Sequence, residues 1–515
     1  MKKRLTAILL SALFLFTACS EKGADINIII NADGYEGMAL ATEQSVAAPV
    51  SIPTSTSAPE ETTENSDSST DVETDTETDI SSDEPASETA AAATTTPPPA
   101  ETTTTTAAST TTTTTTAAAT TTTTTEATTT TPQETTTTTD SFIIQQTGSN
   151  SYSALNYKEV RGVWISYIEL SVLLKGKTES QFTTSIRQAF SNCASMGINT
   201  VYVHVRSHGD AYYNSQYFPW SKYVTGTVGA APSFDPLKIM INEAHALGLS
   251  FHAWINPYRL SLSSDMASVS SSYTTGKWYN TSAGDRVVLV DGIYYLNPAY
   301  DEAVDLIAAG VREITANYNV DGVHIDDYFY PTTDASFDSK AYAASGYSSL
   351  SSFRVNNCDK TVKALYSAVK AGNSSVIFGV SPQGNVQNNY DFMYADVGKW
   401  CSNSGYLDYI APQIYFGFKN ASQPYETVLT QWQDMVSGTN VKLIPGLAVY
   451  KIGTEDSSGD GRYEWINDAE IIKRQIEAAK AKAGYGGVIL YRYDYVFDTS
   501  PAIKAEMNAV KAMFV

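Results

Sequence analysis

From Tyr157 onward the chain alternates short apolar runs, rich in β-branched and aromatic residues, with longer stretches whose apolar positions recur every three to four residues. The first pattern is that of a buried parallel strand, the second that of an amphipathic helix. Strands are predicted at 162–166, 200–206, 250–256, 322–326, 376–381, 409–415, 442–449 and 487–491, and helices at 180–196, 236–247, 299–318, 348–371, 424–436 and 467–483. Eight such units in roughly 355 residues predict an α/β fold, a (β/α)8 TIM-type barrel with enlarged βα loops. A doubly wound open sheet is the alternative, but no glycine-rich phosphate loop follows the first strand.

Ahead of the barrel the alternation vanishes. From about Thr42 to Asp140 the chain is dominated by Thr, Ser, Ala, Pro, Glu and Asp, with unbroken Thr runs at 110–116 and 120–125. Such a segment has almost nothing to bury and is expected to be a disordered, acidic, Thr-rich tether. At about 3 Å per residue it reaches up to about 300 Å when nearly extended. The run Ile26-Asn27-Ile28-Ile29-Ile30 stands apart from this composition and is assigned no function. The first nineteen residues begin with Lys2, Lys3 and Arg4, continue through an apolar run from Ala7 to Phe16, and end at Thr17-Ala18-Cys19. That run is too short to span a bilayer and fits a secretory signal. A Cys after small residues resembles a bacterial lipobox, which implies lipidation of Cys19; ordinary secretion is the alternative. The expected organisation is a lipoprotein signal peptide at 1–19, a linker at 20–150 and the barrel at 151–515, with the protein held on the outer face of the cell membrane.

The formal charge of −22 divides unevenly. Residues 21–150 carry 21 acids against one lysine, so the barrel is only mildly acidic at −5 and nucleic acid is not an expected partner. Cys193, Cys358 and Cys401 are too few for a disulfide framework and are expected to be buried thiols. No Cys/His spacing resembles a metal site. The loop 456–467 matches a calcium loop poorly, with Ser458 third and Asn467 twelfth. No cofactor and no protein partner are expected.

A barrel carries its chemistry at the C-terminal strand ends. The fourth predicted strand runs Val320-Asp-Gly-Val-His324-Ile-Asp326-Asp327-Tyr328-Phe-Tyr-Pro331, an apolar run ending in adjacent carboxylates and an aromatic loop. Hydrolysis of a glycosidic bond needs one carboxyl group to protonate the leaving oxygen and a second group to meet the oxocarbenium-like centre. Asp326 and Asp327 are the candidates, with His324 on the same strand face as Asp326 as a proton relay. Neighbours on a regular strand point to opposite faces, so both acids serve only if the strand ends or bulges between them; otherwise Asp210 or Asp494 supplies the second group. The plainer reading is that the acids cap the following segment or pair with Arg. Four of the five His, namely His204, His208, His252 and His324, fall on strands two to four or just after them. For His204 and His252 packing inside the barrel is the plainer account. Trp164, Arg206, His208, Asp210, Trp254, Asn256, Arg259, Tyr328, Gln383, Gln413, Tyr415, Tyr491 and Asp494 lie at or just past strand ends and are expected to contact a sugar by hydrogen bonding and ring stacking. Core packing is the competing account for the aromatics, though 33 Tyr suit carbohydrate binding.

Several segments together resemble the glycosyl-hydrolase-like family 10. They are Arg161-Gly-Val-Trp164, Val203-His-Val-Arg206 with Gly209-Asp210-Ala211, Phe218-Pro-Trp220-Ser, His252-Ala-Trp254-Ile-Asn256-Pro-Tyr-Arg259, Asp321 to Pro331, Ser381-Pro-Gln-Gly384 and Ala411-Pro-Gln413-Ile-Tyr415. The resemblance spans roughly 157–500. It implies an exported bacterial barrel with O-glycosyl hydrolase activity, and one branch of the family is implied to act on peptidoglycan glycan strands stripped of their peptides. His204 stands where many relatives carry Gln, and Ser207-His208 replaces a Pro-containing turn. The functions that compete are hydrolysis of an envelope polysaccharide, hydrolysis of an external plant or host polysaccharide, and sugar binding without catalysis.

Overall fold

The computed structural model of the chain describes residues 149–281, 285–327, 329–456 and 459–515. The expected signal peptide, Cys19 and all but the last two residues of the expected linker lie outside them, as does Tyr328.

Each of the eight apolar runs forms a parallel strand. In chain order these are β1 (Val160–Ile165), β2 (Thr200–Arg206), β3 (Ser250–Ile255), and then, after an insert of three further strands, β7 (Gly322–Ile325), β8 (Ile377–Val380) and β9 (Tyr409–Ile410). The seventh barrel strand comes in two pieces, β10 (Lys442–Leu443) and β11 (Gly446–Ala448), and β12 (Gly487–Tyr491) is the eighth. Neighbours run β10-β9-β8-β7-β3-β2-β1-β12-β11, and because β10 and β11 are one chain segment the ring is closed. The break falls at Ile444-Pro445, where proline has no N–H to give to a ladder; its carbonyl still accepts from the Ile489 N–H at 3.0 Å. The sequence pattern gave this strand as continuous over 442–449, and it gave β9 as running to 415 where pairing ends at Ile410.

The insert between β3 and β7 was not foreseen. β4 (Arg259–Leu262), β5 (Val287–Val290) and β6 (Ile293–Leu296) form an antiparallel sheet in the order β4-β6-β5. β5 and β6 turn at Asp291-Gly292, whose φ values of 49° and 83° suit the tight hairpin that an Asp-Gly pair favours.

Large rings fill the barrel interior because glycine opposes them. A Cβ on Gly322 would lie 2.4 Å from the His252 ring, and one on Gly379 would lie 2.1 Å from the Tyr409 ring. Two inward glycines thus admit two cross-barrel side chains at close-packed density. Outside, helices such as Glu179–Ser195, Asp301–Asn317 and Leu350–Gly372 cover the strands with their apolar faces. Cys193, Cys358 and Cys401 are free and buried. No described helix is long and apolar enough to cross a membrane.

At the opposite, N-terminal face, Asp321 joins the entering chain to the barrel floor. Its Oδ1 accepts from the Leu155 N–H (2.6 Å) and the Tyr152 hydroxyl (2.8 Å), and its Oδ2 accepts from the Phe251 N–H (2.7 Å) and lies 2.8 Å from His245 Nε2. Deleting these acceptors strands the donors that they hold. Asp321→Ala is therefore expected to cost about 3–5 kcal/mol in denaturant unfolding, while leaving the ligand-facing end of the barrel, and any activity measured there, intact.

Candidate active site

The site is built upward from a layer of rings inside the barrel. Trp164 on β1 donates its Nε1–H to His324 Nε2 at 3.1 Å. Indole nitrogen is only a donor, so His324 carries its proton on Nδ1 and gives it to the Tyr409 hydroxyl, 3.0 Å away. Tyr409 is left to donate to His252 Nδ1 at 3.1 Å. Both imidazoles are fully enclosed, and burial holds His324 well below the ordinary His range and His252 down to about 4. The layer is therefore neutral and fixed in one tautomeric pattern.

A second layer lies above it. His204 stacks on Trp254 with ring centroids 3.4 Å apart. The Tyr167 N–H donates to His204 Nδ1 (3.1 Å), which places the imidazole proton on Nε2, facing Asn256 Oδ1 at 3.3 Å. Burial pushes His204 down to about 3. The stacked Trp254 donates its Nε1–H to Asp326 Oδ2 at 3.1 Å.

Both aspartates reach the mouth because β7 ends at Ile325. Asp326 follows the last paired residue and stays on the His324 face, buried against Trp254. Asp327 lies in a bend whose carbonyl accepts from the Phe329 N–H at 2.9 Å, and its half-buried side chain accepts from Gln413 and Gln383. Those amides stand just past β9 and β8. Gln413 also donates to the Ser381 carbonyl (3.2 Å), and the Gln383 backbone is tied to Asn389 Oδ1 (3.1 Å). Desolvation pushes the Asp327 carboxyl up to about 6, against the two amides, which favour its charged form. The sequence reading required the strand to end or bulge between the two acids; β7 ends one residue earlier, at Ile325, and Asp327 lies in a bend beyond it.

Across the mouth stands an aromatic wall. Tyr491 lies 5.5 Å from Tyr415, 6.0 Å from Tyr450 and 5.8 Å from Trp164, and Tyr450 lies 6.0 Å from Tyr495. Two carboxyl groups, two amides and a tyrosine wall around one barrel mouth suit a neutral, hydroxylated ring substrate. Among the described residues no group of three or more His, Cys, Asp and Glu is placed to hold a metal ion.

Residues 159–464 match the family described as Glycosyl hydrolase-like 10. The chain belongs to this family. Glycosyl hydrolase DigH of Escherichia coli (strain K12) is 34% identical over 332 residues, covering 58% of this chain and 73% of DigH. Glycosyl hydrolase YngK of Bacillus subtilis (strain 168) is 33% identical over 354 residues, covering 64% of this chain and 68% of YngK. The glycoside hydrolase domain of PgaB (BpsB) from Bordetella bronchiseptica superposes with a TM-score of 0.45 at 12% identity, covering 68% of this chain and 99% of that one. The expected O-glycosyl hydrolase agrees with the names these relatives carry.

Within this glycosyl hydrolase-like 10 barrel, several expected site residues serve beneath or beside the mouth. Trp164 and Trp254 are each only 2% exposed and hold His324 and Asp326; they are supports, not stacking platforms. His324, expected as a proton relay, has both ring nitrogens taken by Trp164 and Tyr409 and is closed to solvent, so it positions and does not deliver a proton. Arg206 is corrected outright. The register of β2 against β3 shifts between His204 and Arg206, which turns Arg206 outward under helix Asp301–Asn317, with its guanidinium 4.2 Å over the Phe218 ring and Gly310 packed against it. Asp210 folds back on its own loop, accepting from the Ser207 and His208 N–H groups at 3.0 and 2.9 Å. His208 leans on Ser207 Oγ (2.9 Å) and edge-on against Tyr167, Asn256 ties His204 to the Ser207 carbonyl (3.0 Å), and Arg259 is buried on β4. Asp494 is half-exposed and pairs with Arg492 at 3.1 Å.

Residues missed in the sequence are Tyr409, Tyr450, Tyr495, and the pair Glu169 and Arg492, whose Oε1 and Nη1 meet at 2.5 Å. Glu169 had a readable signal: Ser166-x-x-Glu169 is a capping box set at the very end of β1.

A carboxyl-carbon NMR titration of Asp327 is expected to have its midpoint near 6. Removing both amides in Gln383→Ala/Gln413→Ala raises that midpoint further, since they stabilise the charged form. A wild-type midpoint at the ordinary Asp value of about 4 contradicts this electrostatic account.

Proposed function

We propose that this chain is a surface-anchored glycoside hydrolase that cuts glycan strands of the cell envelope, with peptide-free peptidoglycan as its substrate, and that Asp327 and Asp326 divide the chemistry between them. The observation that carries the reading is that two neighbouring carboxyl groups share one barrel mouth in different environments. Asp327, half-buried and pushed up to about 6, keeps its proton into mildly acidic pH, where an ordinary Asp has lost it, and gives it to the leaving glycosidic oxygen. Asp326, fixed by the Trp254 N–H, meets the positive charge that develops at the anomeric carbon, directly or by orienting a substrate acetamide that attacks it. The tyrosine wall takes the faces of the sugar rings.

The cellular setting rests on the N-terminal sequence: a signal ending at Cys19 and a tether able to carry the barrel about 300 Å from a lipid anchor. The relatives' names support glycosidic hydrolysis, and the family resemblance supports the choice of glycan.

The test is digestion of denuded peptidoglycan beside a panel of plant and host polysaccharides. The expected outcome is release of reducing ends from the peptidoglycan strands, with kcat/KM reduced by about 10²–10⁴-fold in Asp326→Asn. Because Asp327 must be protonated to act, the rate falls as pH rises past about 6. Full activity in a folded Asp326→Asn protein overturns the assignment, release from plant glycans alone overturns the substrate, and binding without any release overturns catalysis. Labelling with radioactive palmitate that persists in Cys19→Ala overturns the anchor.

A further inference from the structure

The pair formed by Glu169 and Arg492 is absorbed by none of this chemistry, yet it sits at the mouth. Tyr491 ends β12, Arg492 is the next residue, and Glu169 lies in the first turn of the helix Tyr167–Leu174 that follows β1. The pair therefore joins the C-terminal ends of the first and eighth barrel strands, above Trp164. Glu169 is firmly placed: its Oε2 accepts from the Ser166 N–H at 2.9 Å and from the Ser166 hydroxyl, and its Oε1 takes Arg492 Nη1.

Arg492 is only 5% exposed, and a buried guanidinium normally spends its donors. Nη1 does so twice, on Glu169 Oε1 at 2.5 Å and on Asp494 Oδ2 at 3.1 Å. Nε has no hydrogen-bond partner among the described residues. The Tyr495 ring lies 5.2 Å from the guanidinium carbon, and Tyr450 and Tyr491 continue the enclosure. Tyr495, partly exposed on the one-turn helix Tyr493–Val496, is the solvent-side ring over the guanidinium, and a ligand reaches Nε only where that ring turns aside.

We infer that Arg492, within the box of Tyr450, Tyr491 and Tyr495, is a specificity-determining residue that recognises a neutral acylamino group on a sugar ring. The inference rests on the reading of the mouth as a glycan site and names which side chain selects the glycan. One cation already faces two acidic side chains, so the local charge offers nothing to a substrate carboxylate. A carbonyl oxygen needs only an unspent N–H, and the methyl of an acetamido group needs only an apolar enclosure, which the tyrosine rings supply. A 2-hydroxyl on the same ring fills neither requirement, because it brings neither a carbonyl acceptor nor a methyl group.

Calorimetric titration of the full chain tests this with two neutral probes, the tetramer of β-1,4-linked N-acetylglucosamine and the tetramer of β-1,4-linked glucose. The wild type is expected to bind the acetylated tetramer at least about tenfold more tightly, and Arg492→Gln to bring that ratio close to one. Equal affinities in the wild type, binding of neither tetramer, or an Arg492→Gln protein that weakens both in proportion overturns the inference. Because Arg492 sits in a buried ion pair, Tyr450→Ala serves where Arg492→Gln does not fold: it strips one half-buried wall, and a ratio that stays at its wild-type value overturns the inference equally. Affinity and product release are separate readouts, so a protein that prefers the acetylated tetramer but releases no reducing ends keeps this assignment and sinks the hydrolytic one.

Discussion

The structure of the mouth depends on one buried chain of hydrogen bonds, Trp164 to His324 to Tyr409 to His252, laid across the barrel interior. Each link fixes the next because indole can only donate and a neutral imidazole has one donor and one acceptor. The chain is affordable only where every polar atom is matched, since an unmatched buried donor costs about as much as the bond is worth. Glycine at 322 and 379 gives the rings their room. Without those two positions the rings would be driven off their partners, and the platform for Trp254 and Asp326 would lose its level.

Two adjacent acids acquire different characters from this arrangement. Asp326 continues the inward face of β7 and is held from one side by an indole stacked on a neutral His204. Asp327 is past the ladder, in a bend, and is approached by amides from the next two strands. A pleated strand would have sent it to the opposite face. Ending the strand at Ile325, directly before the pair, puts consecutive residues at one mouth in different surroundings, and the proposed division into acid and partner rests on that difference.

The barrel was legible in the sequence because eight buried parallel strands read as eight apolar runs, and because their helices keep a 3.6-residue period. The small sheet at 259–296 was not, although Val287 to Leu296 carries an Asp-Gly turn between two apolar runs, because those short runs interrupt the βα rhythm that marks the barrel. At the site, Asp326, Asp327, Gln383, Gln413, Tyr415 and Tyr491 were readable as strand-end residues, since position along a barrel strand decides access to the mouth. Arg206 was misplaced because a one-residue register shift reverses the face of everything after it, and nothing in Val203-His-Val-Arg206 announces the shift. For Trp164 and Trp254 the sequence carries proximity to the mouth but not depth, and depth is what makes them supports instead of platforms. Glu169 and Arg492 lie 323 residues apart, a pairing that only the closing of the barrel creates.

The central claim is that Asp327 delivers the proton and Asp326 does not. It is tested most directly by comparing Asp327→Asn and Asp326→Asn on a glycan and on the same sugar carrying an activated aryl leaving group that departs without protonation. The account predicts that Asp327→Asn loses about 10²–10⁴-fold on the glycan but retains most of its rate on the aryl glycoside, while Asp326→Asn loses both. An Asp327→Asn enzyme impaired equally on the two substrates, or an Asp326→Asn enzyme rescued by the activated leaving group, would contradict it.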